Sequence, residues 1–496
     1  MSEPGQPIPY GSRVSQLADD YGAGAAVSQV SAAGSVRSLS WRELNDLALR
    51  LATSLRAEGV QPGDRLAVCL PNCVEHFVAD VAAWKVGAVP VAIRWDLPEW
   101  ELGRVLAVVE PRLTFRRGPE EVMARTTGPG AEAAEAAEAV SPHRFGVCTS
   151  GSTGTPKVIL HTSPGLYSET QRSTSAVVEA YRSLSMPQAL LVPTALYHSA
   201  SITTAVLNLV SGGHTLVLER FDPDLLQAVV ERAGVTGFMA PTPLLLRLAR
   251  RPGLDRARFA SVEWVQHGAS PLPEWLARFW IDFLGPDRFF TSYGAAEAIG
   301  VVACRGDEWL AHPGTLGRGA LGTDVAVLDD DGQPLGPGVV GQIFLRRPGG
   351  PSGTMVGRGV APLEVRRGFA TVGDLGWLDE DGFLFLADRR VDLIVSGGAN
   401  VYPAEVEAAV GEHPAVADVV VIGLPDQEWG TRVHAIVQPA PGTGLTSDEV
   451  RAFARSRVAP YKVPKTVEFV ERIPRSAAMK VNRARLIQQR TAQPPS

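Results

Sequence analysis

The chain reads as an α/β protein: a large N-terminal part built on parallel-type sheet, a smaller antiparallel unit, and a compact C-terminal module of mixed α and β structure. Three observations predict this. Helical and strand-like segments alternate from about residue 36 to residue 100, as in a parallel sheet with crossover helices. After Gly319, short apolar runs are separated by Asp-Gly and Pro-Gly turns, the texture of antiparallel strands. At 496 residues the chain also exceeds the size at which one core keeps growing, so more than one domain is expected.

Ser40 and Glu43 form a capping box that starts a helix running to Gly59. A strand over Asp64–Leu70, a helix over Cys73–Lys85 and a strand over Ala88–Ile93 follow. Residues 118–142 are low in complexity and carry no assigned chemistry: the Ala/Glu stretch reads as a solvated helix, the Gly-Pro-Gly before it as a loop. Arg144–Cys148 is a short buried strand, and strand-like runs recur at Ala189–Val192, His214–Leu218, Gly237–Ala240 and Val262–Gln266. Asp324–Leu328, Gly341–Arg346 and Phe383–Leu386 are the strands of the antiparallel unit. Beyond Asp388 the pattern gives a helix over Pro403–Glu412, strands over Asp418–Gly423 and His434–Gln438, a helix over Ser447–Ser456 and a strand over Thr466–Val470. The main domain boundary is expected at 388–392.

Hydrophobic content of 45% and charged content of 20% are globular values. A net charge of −6 gives no electrostatic case for nucleic acid or an anionic membrane as partner. The N-terminal residues lack an apolar signal region, and no apolar run approaches the roughly 20 residues that span a bilayer, so a cytoplasmic protein is expected. Cys69 and Cys73 have the spacing Cys-x3-Cys without a second pair, which argues against zinc; with Cys148 and Cys304 they are read as core thiols. Lysine occurs only at 85, 157, 462, 465 and 480 in a chain otherwise rich in arginine. Lysine is the compact, mobile charge suited to a single phosphate oxygen.

The stretch Thr149–Lys157, TSGSTGTPK, restricts function most. Gly151 and Gly154 let the backbone turn and present its N–H groups. The hydroxyls of Thr149, Ser150, Ser152, Thr153 and Thr155 add donors, and Lys157 adds positive charge, so the loop suits a polyphosphate. Counted from Gly151, Lys157 falls at the Walker offset. Pro156 stands where that motif has its second glycine, however, and Val158 where it has a metal-binding hydroxyl, so a Walker P-loop is not expected.

Other segments follow in order: Tyr197-His-Ser199, Gly268-Ala-Ser-Pro271, Ser292-Tyr-Gly-Ala-Ala-Glu297, Gly373-Asp374 with Asp388-Arg389, Gly397-Gly-Ala-Asn-Val-Tyr-Pro403, and Pro474-Arg-Ser-Ala-Ala-Met-Lys480. Together with the phosphate loop, over most of the chain, they resemble the adenylate-forming superfamily of acyl-CoA synthetases, peptide-synthetase adenylation domains and beetle luciferases. The resemblance is strongest to bacterial acyl-CoA ligases. It implies a β-barrel-like character for the antiparallel unit and a mobile C-terminal domain, with residues 1–388 as the AMP-binding domain, 389–392 as a hinge centred on Val391, and 393–496 as the moving part. It also implies the ligands ATP, Mg2+, coenzyme A and a small-molecule carboxylic acid.

The roles implied by the resemblance follow. The phosphate loop holds the β- and γ-phosphates, and Glu297 binds Mg2+. Gly268, Ala269, Ser270 and Pro271, with Tyr293, enclose the adenine; Ser292 and Gly294 are nucleotide-binding as well, and Ala296 stands beside the α-phosphate. Asp374 accepts from the ribose hydroxyls with Arg389 beside it. Lys480 bridges carboxylate, ribose and α-phosphate, and Gly397 and Gly398 flank the pantetheine tunnel. His198 is read either as a gate to the carboxylate site or as a helix cap. Phe238, Met239, Ala240, His267, Gly294 and Ala295 are expected to wall the acyl pocket. The resemblance implies an aspartate near His198 in members that activate amino acids. Pro193–Thr203 contains no acid, so a plain carboxylic acid is favoured, and the mostly apolar wall with small residues at its floor suits a hydrophobic, bulky or polycyclic one.

Several positions depart from the family pattern: Ala296 for threonine, Met479 for glycine, Val391 for the hinge Asp or Lys, Val158 for a glycine and Val372 for a threonine. Loss of one hydrogen bond to a charged group costs roughly 1.5–3 kcal/mol, about 10- to 150-fold in rate. The expectation is therefore an acid–thiol ligase, with three alternatives kept open: an enzyme weak in adenylation that converts supplied acyl-adenylate, a loader of a free-standing acyl carrier protein, and a non-catalytic nucleotide-binding relative. Whether the chain forms a homodimer is left open.

Overall fold

A computed structural model of the chain describes residues 6–127, 139–150, 156–169, 172–356, 362–389, 392–396, 399–475 and 481–491. Two large sheets dominate it. The nine-stranded sheet runs in the order Arg318–Ala320, Val301–Arg305, Phe289–Gly294, Trp264–His267, Gly237–Ala240, Ala189–Val192, His214–Leu218, Ala25–Val30, Val36–Ser40. Its six central strands are parallel, and antiparallel strands close both edges. The six-stranded sheet runs Gly353–Val356, Pro156–His161, Gly146–Ser150, Val89–Ala92, Arg65–Val68, Leu113–Phe115, parallel except at its first two junctions. The expected parallel-type sheet is thus present in two copies.

The two sheets share a core. Helices Tyr10–Tyr21, Trp41–Ala57 and Val74–Lys85 lie between them and pack with Leu66, Val68, Val147 and Ile159 of one sheet and Val27, Val192, Val217 and Phe290 of the other. All twelve residues of Val74–Lys85 are buried, its charged ones included. Lys85 Nζ donates to the Gly11 carbonyl at 3.0 Å and to Ser15 Oγ at 2.8 Å, and Glu75 pairs with Arg37. The expected capping box forms: the Glu43 N–H donates to Ser40 Oγ at 3.2 Å and the Ser40 N–H to the Glu43 carboxylate at 2.8 Å. The outer faces are covered separately, by helices Pro223–Arg232, Thr242–Ala249 and Glu274–Leu284 on the larger sheet and Glu99–Val109 on the smaller.

The unit after Gly319 is a six-stranded antiparallel sheet containing Asp324–Leu328, Gly341–Arg346, Asp374–Leu378 and Leu384–Arg389. The strand expected at Phe383–Leu386 extends to Arg389, and the one expected at Val262–Gln266 lies at Trp264–His267. The C-terminal module has its own cores. Strands Val416–Asp426 and Gly430–Pro439 pair antiparallel, Thr466–Phe469 joins in parallel, and helices Pro403–Gly411, Ser447–Arg455 and Arg483–Thr491 pack on them.

Within the low-complexity stretch 118–142, Pro119–Thr127, for which the sequence offers no reading, is a helix docked on the core. Val122 and Thr126, four residues apart, face inward and are buried, and Glu120 and Glu121 occupy the favourable first turn. The Ala/Glu stretch at 131–138 lies outside the described residues.

Candidate active site

Strands Gly146–Ser150 and Pro156–His161 are antiparallel arms in register at Thr149 with Lys157 and Ser150 with Pro156. The glycine–hydroxyl stretch therefore joins two strands, whereas a Walker loop leads into a helix. Gly151, Ser152, Thr153, Gly154 and Thr155 lie outside the described residues, as do the side chains of Thr149 and Ser150. Lys157, at the start of the second arm, ion-pairs with the Glu297 carboxylate, and its Nζ is 3.9 Å from Met355 Sδ.

Glu297 is 7% exposed and held from behind. Ala298 takes a left-handed φ of +50°, and its carbonyl accepts the Ser352 N–H at 3.1 Å. A Cβ on Gly353 would stand 2.7 Å from the Glu297 carbonyl oxygen, so only glycine lets the edge strand Gly353–Val356 approach. One buried carboxylate oxygen donor beside a phosphate-seeking lysine fits Mg2+, which binds through one or two carboxylates plus substrate phosphates and water. Among the described residues no group of three or more His, Cys, Asp or Glu comes together.

The segment Gly268–Pro271 leaves the C-terminal end of strand Trp264–His267. Ala269 adopts φ +67°, a strained conformation for a residue with a Cβ, which re-aims the backbone as Gly268 passes Ser292. A Cβ at Gly268 would meet Met239 Cε at 2.9 Å and Ser292 Oγ at 3.2 Å. Ser270 Oγ accepts the Thr242 N–H at 3.0 Å and ties this loop to the start of helix Thr242–Ala249. A buried polar line fixes Ser292: Ser175 Oγ donates to Gln266 Oε1 at 2.7 Å, Gln266 Nε2 to Ser292 Oγ at 2.8 Å, and Ser292 Oγ to the His267 carbonyl at 3.2 Å.

Tyr293 lies near the end of its strand, and its hydroxyl donates to Asp374 Oδ2 at 2.7 Å. Asp374 is 6% exposed. It follows Gly373, whose φ of +87° turns the chain into the strand, and it stands opposite Arg389 in register, beside a β-bulge. The stretch Tyr293–Glu297 thus carries both contacts: the aromatic hydroxyl on Asp374 and the carboxylate on Lys157. Ala296 packs partly buried against the inter-sheet core.

His198 occupies the N-cap position of helix Ser199–Val210, but its side chain makes no capping hydrogen bond; its ring meets Tyr197 edge-on at 4.5 Å. Burial pushes the Tyr197 hydroxyl up to about 12. Asn72 fastens the approach to this loop: its Nδ2 donates to the carbonyls of Thr194 and Leu218, each at 2.9 Å, and its Oδ1 accepts the Leu196 N–H at 2.9 Å.

The pocket wall needs a correction. Side chains alternate along Gly237–Ala240, and Phe238 and Ala240, 0% and 1% exposed, point into the outer core with Leu191, Leu245 and Trp280. They are core residues; Met239, on the opposite face, is the one beside Gly268. His267 is also buried, within 3.0 Å of Thr242 Oγ1, and burial pushes its imidazole down to about 3. Ala295 is partly buried and Gly294 exposed.

In the C-terminal module Val391, Gly397, Gly398, Met479 and Lys480 lie outside the described residues, as does the side chain of Arg389. Arg483, at the start of the last helix, makes three contacts: Nη1 reaches Asp392 at 3.2 Å, Nη2 reaches Glu407 at 2.7 Å, and Nε donates to the Val421 carbonyl at 3.2 Å. Asn72, Gln266, Gly353 and Arg483 were not anticipated. A glutamine inside the apolar run Trp264-Val-Gln-His267 was a usable signal; the other three carried none of comparable strength. All four cysteines are free thiols, three of them buried, and burial pushes Cys69 and Cys304 up to about 12. Among the described residues no helix is long and apolar enough to cross a membrane.

Comparison with known proteins places these features in context. The signature of the AMP-binding enzyme family matches residues 17–355, and that of the AMP-binding enzyme C-terminal domain matches 405–480. A feruloyl-CoA synthase of an Amycolatopsis species is 34% identical, the match covering 89% of this chain and 92% of that protein. The long-chain-fatty-acid–CoA ligase FadD13 of Mycobacterium tuberculosis is 30% identical over 92% of this chain and 94% of its own. The o-succinylbenzoate CoA synthetase of Bacillus subtilis, solved with its acyl-adenylate intermediate, superposes with a TM-score of 0.81 at 26% identity, covering 97% of this chain and 98% of that one. The same synthetase has been solved with ATP and magnesium ion, with a TM-score of 0.80.

Proposed function

Because the chain belongs to the AMP-binding enzyme family, we propose that it is an ATP-dependent acid–thiol ligase that activates a hydrophobic carboxylic acid as its adenylate and transfers the acyl group to coenzyme A. The observation that carries this reading is the stretch Tyr293–Glu297. It sets a ribose-type acceptor, Asp374 through Tyr293, and a phosphate-type pair, Lys157 with Glu297, at one strand end.

In the first step a carboxylate oxygen of the acid bonds to the α-phosphorus of ATP and pyrophosphate leaves. Two anions must meet, so the site has to supply positive charge where negative charge gathers. Lys157 does so at the leaving pyrophosphate, and Lys480 at the reacting oxygens. Glu297 would hold Mg2+, which supplies neutralisation of the phosphate oxygens when bound. Asp374 orients the ribose, and the Gly268–Pro271 backbone lines the base. In the second step the thiol sulfur of coenzyme A bonds to the acyl carbon, AMP leaves, and the thiol proton is released.

Residues 389–392 serve as the hinge, with 393–496 turning about Val391 to exchange Lys480 for Gly397 and Gly398 between steps. The acid is aromatic or long-chain: Pro193–Thr203 contains no acidic residue to hold an ammonium, and the relatives include a feruloyl-CoA synthase and a fatty-acid ligase.

The test is ATP–pyrophosphate exchange with a panel of cinnamic, benzoic and fatty acids, run beside thioester formation from preformed acyl-adenylate plus coenzyme A. Exchange with at least one hydrophobic acid, and thioester in both formats, is expected. Lys480→Ala should abolish exchange and spare thioester formation from supplied adenylate. Thioester from adenylate without any exchange would instead mark an enzyme confined to the second step, for which Ala296, Met479 and Val391 are the motivating residues. Acyl transfer to a carrier protein and not to coenzyme A would overturn the assigned acceptor.

A further inference from the structure

Resting on the ribose reading of Asp374, we infer that the hydroxyl of Tyr293 is a positioning group that makes the site selective for a nucleotide with intact ribose hydroxyls. Tyr293 Oη lies 2.7 Å from Asp374 Oδ2. A carboxylate only accepts and a neutral phenol can donate, so the direction of this bond is fixed. The torsion that turns an aspartate carboxylate is broad and two-fold, so an aspartate expected to receive two hydroxyl donors gains from a neighbour that sets its plane. A donor on Oδ2 sets that plane and leaves acceptor capacity on both oxygens.

The donor is itself anchored. The ring of Tyr293 packs against the core of the antiparallel unit, which holds Ile299, Val302 and Ile343. Its backbone is paired with Val302 in the large sheet. Asp374 is fixed from the other side, by the left-handed Gly373 whose N–H donates to Thr371 Oγ1 at 3.1 Å. The two partners come from different sheets, so the bond also registers the antiparallel unit against the large sheet where the nucleotide would lie. Tyrosine at 293 thereby does more than offer a flat face to the base: its hydroxyl acts through Asp374 on the sugar.

The experiment is a set of equilibrium titrations of full-length protein with ATP, 2′-deoxy-ATP and 3′-deoxy-ATP. It uses the unsubstituted protein, Tyr293→Phe, Asp374→Asn and the double variant, with thermal midpoints as a check on folding. The unsubstituted protein should prefer ATP over each deoxy analogue about 10-fold or more, the scale of one hydrogen bond to a charged group. Tyr293→Phe should weaken ATP about 10-fold, bring the three nucleotides within roughly 3-fold of one another, and add nothing further in the Asp374→Asn background. A purely structural cross-link would lower the midpoint and weaken all three nucleotides equally; that result, or full retention of selectivity by Tyr293→Phe, overturns the inference. A parent protein indifferent to both ribose hydroxyls would overturn the ribose reading of Asp374 itself, and the inference with it.

Discussion

At residue scale, the site stores opposite charges against one another: Lys157 and Glu297 pair across 140 positions of sequence. Other polar groups are buried without charge, and His267 is the sharpest case. Burial pushes its imidazole down to about 3, whereas the same group in an unfolded chain protonates near pH 6.5. Below pH 6.5 the unfolded chain takes up a proton that the folded chain refuses, so stability is lost as pH falls from about 6.5 toward 3. At pH 5 this one group costs on the order of 1–2 kcal/mol. His267→Gln keeps a hydrogen-bonding partner for Thr242 and should lose less unfolding midpoint between pH 7 and pH 5 than the parent protein. Equal losses would contradict a neutral, buried His267. The groups whose chemistry is specific, Lys157, Glu297, Tyr293 and Asp374, were legible because each sits in a short motif. Asn72 and Gln266 act through contacts with residues 122 and 26 positions away, and such contacts do not exist until the sheets are assembled.

At the scale of elements, local chemistry decided what could be read. The capping box at Ser40, the helix after Cys73 and seven of the fifteen strands of the two large sheets carry their signals within a few residues. The helix Pro119–Thr127 was hidden because it has only two buried positions and borders a low-complexity run. The strand from Pro156 was missed because a hydroxyl-rich loop ends in proline at its first residue. In the C-terminal module Arg483 fastens the start of the last helix to Asp392, Glu407 and Val421. Replacing it by methionine leaves two facing carboxylates without their cation and should weaken that docking by roughly 1–2 kcal/mol, since the groups are partly solvated. Amides of Arg483–Thr491 should then exchange hydrogen about 5- to 30-fold faster, while those of Trp41–Ala57 stay unchanged. Lysine at 483 should recover less than half the protection, because an ammonium cannot reproduce the fork. Unaltered exchange in the last helix would show that its apolar face alone holds it.

At the scale of the whole molecule, the order of motifs along the chain foretold the architecture, while the arrangement of the strands came from the structure. Nothing local distinguishes a strand of the nine-stranded sheet from one of the six-stranded sheet, and the three helices between them serve both. That sandwich brings Lys157 at the start of the second hairpin arm, the stretch Tyr293–Glu297 and the antiparallel unit bearing Asp374 to one end of strand Phe289–Gly294. The central claim, that this end joins a carboxylate to the α-phosphate of ATP, is tested most directly by isotope. An acid accepted in the exchange panel, labelled with 18O in both carboxylate oxygens, is incubated with the protein, ATP and coenzyme A, and the nucleotide product is weighed by mass spectrometry. The account predicts AMP carrying one 18O atom for each thioester formed; unlabelled AMP, or ADP and phosphate in its place, would contradict it.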